Sequence, residues 1–107
     1  MLLVYNTAMA INAVAKRIFA NQTHETVPYR VALNIYAVTS VAGLKMTLSV
    51  GGILLIDEQP VVNVRTVIDR SQDLLLVVPA AAGQQVIVDL RATAALTPLI
   101  QIEGRAF

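Results

Sequence analysis

The segment Leu44–Val50 alternates strictly between apolar and polar side chains. In an extended chain, the apolar members share one side and the polar members share the other: Leu44, Met46, Leu48 and Val50 against Lys45, Thr47 and Ser49. A period of two residues predicts a β-strand with one buried and one wetter face. The segment Val86–Ala92 has the same pattern and predicts a second strand of this kind.

Other segments predict further strands with less regular patterns. Residues 29–38 alternate, but Tyr36 and Val38 lie among the polar positions, which predicts partial cover on that side as well. Residues 61–68 alternate with Val62 and Val64 predicted to point inward, together with Thr66 and Ile68. Residues 74–78 form a continuous apolar run, as expected for a strand that is covered on both faces. Shorter strands are predicted at residues 53–56 and 99–103.

The turns and the residue types agree with a sheet protein. Gly51-Gly52 permits a tight reversal, and Pro60, after the charged turn that begins at Asp57-Glu58, suits a strand start or a sheet edge. The 15 Val, 9 Ile and 8 Thr favour pleated sheet. We therefore expect an all-β fold, a single-domain antiparallel β-sandwich of jelly-roll type with about eight strands. The order of those strands is not readable from the sequence.

The first part of the chain is open to more than one interpretation. We expect residues 14–107 to form the sandwich domain, beginning with a strand or extended segment at residues 14–20. For residues 1–13 a short helix, an N-terminal arm and a strand all fit. Within residues 7–19 the apolar positions fall near helical spacing, and alanines favour a helix.

The high share of apolar residues and the low share of charged residues limit the functions that this chain can have. Apolar residues make up 56% of the chain and charged residues 14%, whereas ordinary domains carry about 25% charged residues. A small domain cannot bury that much apolar surface within itself, so part of it must meet a membrane or other subunits. Residues 1–15, as long as any uncharged stretch of the chain, are too few for a spanning helix, and they lack the features of a secretory signal. Protein interfaces are therefore the preferred explanation.

The sequence offers no convincing catalytic, cofactor-binding or metal-binding residues. His24 is the only histidine, and there is no cysteine. Asp57 and Glu58 are neighbours on an extended chain and should point apart, while the charged residues between Asp69 and Asp73 suit turn bonds and surface ion pairs. A net charge of +1 with scattered Lys and Arg does not fit a nucleic-acid binder. We expect no enzyme, no cofactor and no metal.

A glycan-binding or other soluble binding module is the alternative. Small β-sandwiches often bind sugars, but they usually stack them on aromatic side chains, and only 5% of this chain is aromatic, with no Trp. The triplet beginning at Asn21 fits a glycosylation pattern, which has little weight without a secretory signal.

From Val14 onward the chain resembles the small jelly-roll virion proteins of bacteriophages, of the minor capsid or head-decoration type. The resemblance lies in the order of these segments: residues 21–28 before a long alternating strand, the turn 41–43, residues 49–52 before a short strand, the acidic turn 57–61, and residues 73–79 and 80–83 before a last alternating strand. Residues 1–13 have no counterpart in it. The resemblance implies subunits that cluster, with a trimer favoured, on or between major capsid proteins, and it implies no enzymatic activity.

The sequence thus predicts a viral structural protein, a capsid decoration (cement) or minor capsid subunit on the virion. Its partners would be copies of itself and the major capsid protein, with no nucleic acid and no membrane among them.

Overall fold

A computed structural model describes residues 1–106 as eight β-strands in two antiparallel sheets. The strands are β1 Leu2–Tyr5, β2 Val14–Ala15, β3 Val31–Thr39, β4 Leu44–Val50, β5 Ile53–Pro60, β6 Leu74–Ala80, β7 Val86–Ala92 and β8 Pro98–Ala106. One short 3-10 helix, Thr23–Glu25, lies between β2 and β3. No helix within residues 1–106 is long and apolar enough to cross a membrane. Phe107, where the expected domain ends, lies outside the described residues.

The two sheets have the strand orders β1-β8-β3-β6 and β2-β7-β4-β5. The pairs β4–β5, β3–β6, β2–β7 and β1–β8 are therefore nested, each one enclosing the previous pair along the chain. The all-β expectation, with about eight antiparallel strands in a β-sandwich-like arrangement, is confirmed.

The core lies between the sheets, where the alternating strands direct their apolar residues. On β4 every second residue is buried and the residues between are half-buried, and β7 buries its apolar residues in the same way. β3 buries both of its sides toward Thr39, because Tyr36 and Val38 are covered as well. Leu3, Phe19, Leu33, Leu48 and Ile102 are among the core residues with no exposed surface.

The start of the chain is part of the sandwich and forms neither a separate arm nor a helix. β1 pairs with β8, and the apolar side chain of Leu3 is buried in the core between the sheets. The strand predicted at residues 14–20 is much shorter than expected, since only Val14 and Ala15 pair with β7. Arg17 then adopts a φ of 49°, which ends the extended conformation.

The strand prediction for residues 61–68 is wrong. These residues form a loop in which the alternation is real but reversed: Val62 and Val64 are exposed, while Asn63 and Arg65 are half-buried. The backbone forms only an isolated parallel bridge between Val64 and Thr39. The polar side chains turn inward because a buried carboxylate, described below, binds them.

The two strands beside this loop also differ from expectation. β5 continues to Pro60, so the acidic pair lies within the strand, where a bulge places Glu58 at a φ of 46°. β6 is an edge strand and is not covered on both faces, since Leu74, Leu75 and Val77 are each more than 40% exposed. Pro60 ends an edge strand, in keeping with its missing amide hydrogen.

Candidate functional site

The residues that the sequence offered for chemistry lie on separate elements. His24 is in the 3-10 helix, Asp57 and Glu58 are on the β5 edge, and Asp69 and Asp73 are in the loop between β5 and β6. Glu58 accepts a hydrogen bond from Arg91 at 3.2 Å. Within residues 1–106, no three His, Cys, Asp or Glu side chains are grouped so that they could hold a metal ion.

The loop of residues 61–73 is organised around the carboxylate of Asp73, which has no exposed surface. Its Oδ1 accepts hydrogen bonds from Asn63 Nδ2 at 2.8 Å and from Arg65 Nε at 3.1 Å. Its Oδ2 accepts one from the backbone N–H of Asp69 at 2.7 Å. A buried carboxylate with both oxygens bonded holds its surroundings in a defined conformation, so this loop is fixed by polar contacts from within.

Arg70 attaches the same loop to the outer face of the first sheet. Its guanidinium donates to both carboxylate oxygens of Glu103 and lies 5.6 Å from the ring centre of Tyr36. The hydrogen bond from Arg70 holds the pKa of Glu103 below its usual value, and the same bond raises the pKa of Arg70. A bidentate pair of this kind adds geometric definition as well as attraction.

Four loops meet at one end of the sandwich: residues 6–13, 40–43, 61–68 and 93–97. Backbone hydrogen bonds join neighbouring loops: Met9 N to Leu96 O at 2.7 Å, Ser40 N to Thr97 O at 3.1 Å, Thr93 N to Gly43 O at 2.8 Å, Thr39 N to Asn63 O at 3.1 Å and Arg65 N to Thr39 O at 3.0 Å. The loops therefore form one continuous surface.

This surface is almost free of charge and rich in exposed aliphatic side chains. Five of them are large and β-branched: Val62 at 77%, Val67 at 69%, Ile11 at 63%, Val64 at 53% and Val41 at 48%. The exposed polar residues of the same loops are uncharged: Asn6, Thr7, Asn12, Thr66 and Thr93. Arg65 is the only charged residue in the four loops, and its guanidinium is bonded to Asp73 and Gln72. We call this end the uncharged pole.

The opposite end, which we call the charged pole, is formed by residues 16–30 and 81–85. It carries these ionisable residues: Lys16, Arg17, His24, Glu25 and Arg30. Val27 N donates to Gln84 O at 2.8 Å and joins the two segments. Glu25 is buried here and bonds to Arg17 and Gln85 through Oε1, at 2.9 and 2.8 Å, while its buried Oε2 has no hydrogen-bond partner.

An apolar cleft lies on one side of the sandwich, between the edge strands β5 and β6. It has a volume of about 190 Å³ and is lined by Met46, Leu55, Ile56, Gln59, Pro60, Val61, Leu75 and Leu76. Leu55 and Leu75 are each the unpaired residue of a bulge, and both are about 40% exposed. We call this cavity the edge cleft. It is smaller than the roughly 300–1,000 Å³ of ordinary small-molecule sites.

The opposite side of the sandwich has a closed edge. The side-chain amide of Gln22 donates from Nε2 to Val4 O at 2.7 Å and accepts from Val4 N at 3.4 Å. It therefore occupies the N–H and C=O of Val4, two of the backbone groups that a further strand would use on β1. The other edge strand on this side, β2, contains only Val14 and Ala15. Short strands and covered backbone groups discourage edge-to-edge pairing.

Sequence reasoning anticipated an apolar surplus but did not locate it. The uncharged pole was missed because its loops are far apart in the chain and meet only when the nested strands form. One signal was present, since residues 6–13, 40–43 and 93–97 contain no charged side chain at all. Comparison of this chain with protein families, curated proteins and solved structures finds no match.

Proposed function

We propose that this protein is a non-enzymatic structural subunit of a virus particle, a capsid decoration (cement) or minor capsid protein, whose uncharged pole packs on the major capsid protein. The observation that carries the proposal is the continuous surface of four loops with five exposed aliphatic side chains and a single, internally bonded cation. The phage setting itself comes from the resemblance of the sequence to small virion proteins.

Docking through this pole avoids the main cost of burying a protein surface. Removing an unpaired charge from water is expensive, and the four loops contain no charged side chain that lacks a bond. Their exposed aliphatic fractions add up to roughly three complete side chains, and full burial of one such side chain contributes about 1.5–3 kcal/mol. The pole therefore supplies about 5–9 kcal/mol of gross attraction.

That attraction suits a protein that binds a lattice in many copies. The loss of translational and rotational freedom on association costs about 4–15 kcal/mol, so one pole alone binds weakly. Linking several copies makes later contacts intramolecular and raises the overall affinity. Self-association is therefore part of the proposal: the resemblance implies a trimer, whereas the surface described in the next subsection pairs two copies.

The nested strand pairs support the jelly-roll form of the sandwich. A long antiparallel ribbon of four pairs, wrapped so that its strands alternate between two sheets, has the orders β1-β8-β3-β6 and β2-β7-β4-β5. Jelly rolls occur in viral capsid domains and also in lectins. A sugar-binding role has less support here, because the edge cleft has no aromatic lining and Tyr29 is the only strongly exposed aromatic residue within residues 1–106.

Co-sedimentation with capsids of the source virus tests the proposal. We expect the purified protein to pellet with the shells, and Val62→Lys combined with Val64→Lys to reduce the bound fraction at least tenfold, because it places two charges on the docking surface. Tyr29→Lys on the charged pole is the matched control and should bind like the parent protein. The proposal fails if the protein stays in the supernatant or if the control loses as much binding as the double variant.

A further inference from the structure

We infer that the side formed by β5 and β6 is where two copies of this chain associate, with the exposed Leu54 of each copy seated at the edge cleft of the other and Ile53 beside it. This inference rests on the proposed packing function and adds a second surface to it. The uncharged pole would meet the shell, and the β5–β6 side would meet another copy.

The edges of β5 and β6 favour a contact made by side chains over backbone pairing with another strand. Bulges at Leu55 and Leu75 interrupt both ladders, and a second bulge on β5 places Glu58 at a positive φ. Bulges and proline prevent a straight strand from adding to an edge. The same bulges leave Leu55 and Leu75 partly exposed beside the cleft, so the edges are closed to strand addition while their apolar side chains remain available.

The cleft and the exposed pair are complementary in size and chemistry. A cavity of about 150 Å³ lined by aliphatic and aromatic side chains binds benzene, so the edge cleft, at about 190 Å³, has room for one aliphatic side chain. Ile53 and Leu54 are 63% and 56% exposed at the other end of β5. They are the most exposed large aliphatic residues of this side.

The exposed residues and the edge cleft both involve β5, and this arrangement favours a twofold axis between the two copies. Leu54 and Gln59 are five residues apart along β5, at most roughly 16 Å at about 3.3 Å per residue, because the bulges between them shorten the strand. A twofold axis near the middle of β5 brings each exposed pair over the cleft of the other copy, so that two equivalent contacts form together. Such self-complementary interfaces are the commonest in soluble oligomers.

The available area is at the lower end of what a stable pair uses. The molecule measures 37 × 27 × 21 Å, so a side bounded by its shortest dimension presents roughly 570–780 Å². A standard interface uses about 800 Å² per partner. Six exposed aliphatic residues lie on the two strands of this side: Ile53, Leu54, Leu55, Leu74, Leu75 and Val77. The opposite side, where Gln22 covers part of β1, has a smaller group of three: Leu2, Val4 and Val14.

Sedimentation equilibrium of the purified full chain, in the absence of capsids, tests the inference. We expect a monomer–dimer equilibrium, and Leu54→Glu to weaken it at least tenfold. Leu2→Glu is the matched control, because Leu2 is 52% exposed on an edge strand of the opposite side, and it should change the dissociation constant less than twofold. Circular dichroism verifies that both variants are folded. A wild-type protein that stays monomeric, a trimer mass, or equal effects of the two variants would overturn the inference.

The central position of Asp57 gives a second, independent test. The twofold axis places the two exposed Asp57 carboxylates near one another, and like charges repel at short range. Asp57→Asn should therefore tighten the dimer several-fold at low salt. Glu58→Gln, whose carboxylate is bonded to Arg91, should have little effect. An unchanged dissociation constant for Asp57→Asn would exclude the twofold arrangement.

The two proposals fail separately. A protein that binds capsids but remains monomeric alone would retain the docking role of the uncharged pole and lose only the self-association. A protein that forms the dimer and ignores capsids would keep the dimer interface and lose the virion role.

Discussion

One buried carboxylate lies beside the uncharged pole and one within the charged pole, and the two differ in how many of their oxygens are hydrogen-bonded. Asp73 beside the uncharged pole bonds through both oxygens to three donors. Glu25 at the charged pole bonds through Oε1 alone and leaves Oε2 without a partner. The pole with the apolar surface is thus the one whose internal polar network is complete.

The difference shows how a small domain can expose aliphatic side chains on loops. Loops usually present polar side chains to water and are mobile. In the loop of residues 61–73, the polar residues Asn63 and Arg65 turn inward toward Asp73, and the intervening valines are therefore held outward. A preorganised loop loses less conformational freedom on binding, so the buried network favours docking by the exposed valines.

The largest expected effect comes from removing the complete network. Asp73→Ala leaves the donors of Asn63, Arg65 and Asp69 without their acceptor, and we expect a loss of about 2–4 kcal/mol in the free energy of unfolding. Urea denaturation measures it. Asp69→Asn, which keeps the backbone N–H that bonds to Asp73, is the control. A loss below 1 kcal/mol for Asp73→Ala would show that the network does not hold the loop.

Removing the incomplete network should cost less. Glu25→Ala abolishes bonds to Arg17 and Gln85 but also removes a buried oxygen that has no partner, so we expect a loss of about 1–2 kcal/mol. The same denaturation experiment applies. The contrast between the poles is refuted if Glu25→Ala is as destabilising as Asp73→Ala.

Acid should loosen the loop beside the uncharged pole through Glu103. Its pKa is lowered from the usual 4.5 by the bond from Arg70, so the stabilisation from this pair is present above that value and is lost as the pH falls through the lower, folded-state pKa. The pKa of Asp69 is lowered too, by the Ser71 hydroxyl. Glu103→Gln should be less stable near neutral pH and should show a shallower fall of stability below pH 4.5. Identical pH profiles would contradict this role.

The smallest effect is expected on the surface of the uncharged pole. Val62→Lys should change the free energy of unfolding by less than about 0.5 kcal/mol, because Val62 is 77% exposed. Thermal denaturation provides the measurement, with Tyr29→Lys at the charged pole for comparison. A loss above 1 kcal/mol would mean that Val62 packs within the molecule and is not available to a partner.

The strands with one dry face could be predicted from the sequence, and those that depend on distant polar groups could not. Leu44–Val50 and Val86–Ala92 have the predicted bounds, because each pairs on both sides and buries a single face. Residues 61–68 do alternate between exposed and half-buried side chains. The side predicted to face inward is the exposed one, because Asp73 binds the polar side chains of the other. Residues 74–78 are apolar on both faces, yet Leu74, Leu75 and Val77 are exposed. A hydrophobic run alone does not distinguish a strand covered on both faces from one that has a face available to a partner.

The nested pairing also determines how the chain can fold. Only β4 and β5 are joined by a tight turn, at Gly51-Gly52, whose φ values of 60° and 83° suit a two-residue hairpin. Each further pair, β3–β6, β2–β7 and β1–β8, closes a longer stretch of chain, and closure entropy rises with length. We expect folding to begin at the β4–β5 hairpin and to proceed outward, with β1 joining last. Topologies dominated by such long-range pairing fold slowly, and for that interval the apolar strands are exposed to aggregation.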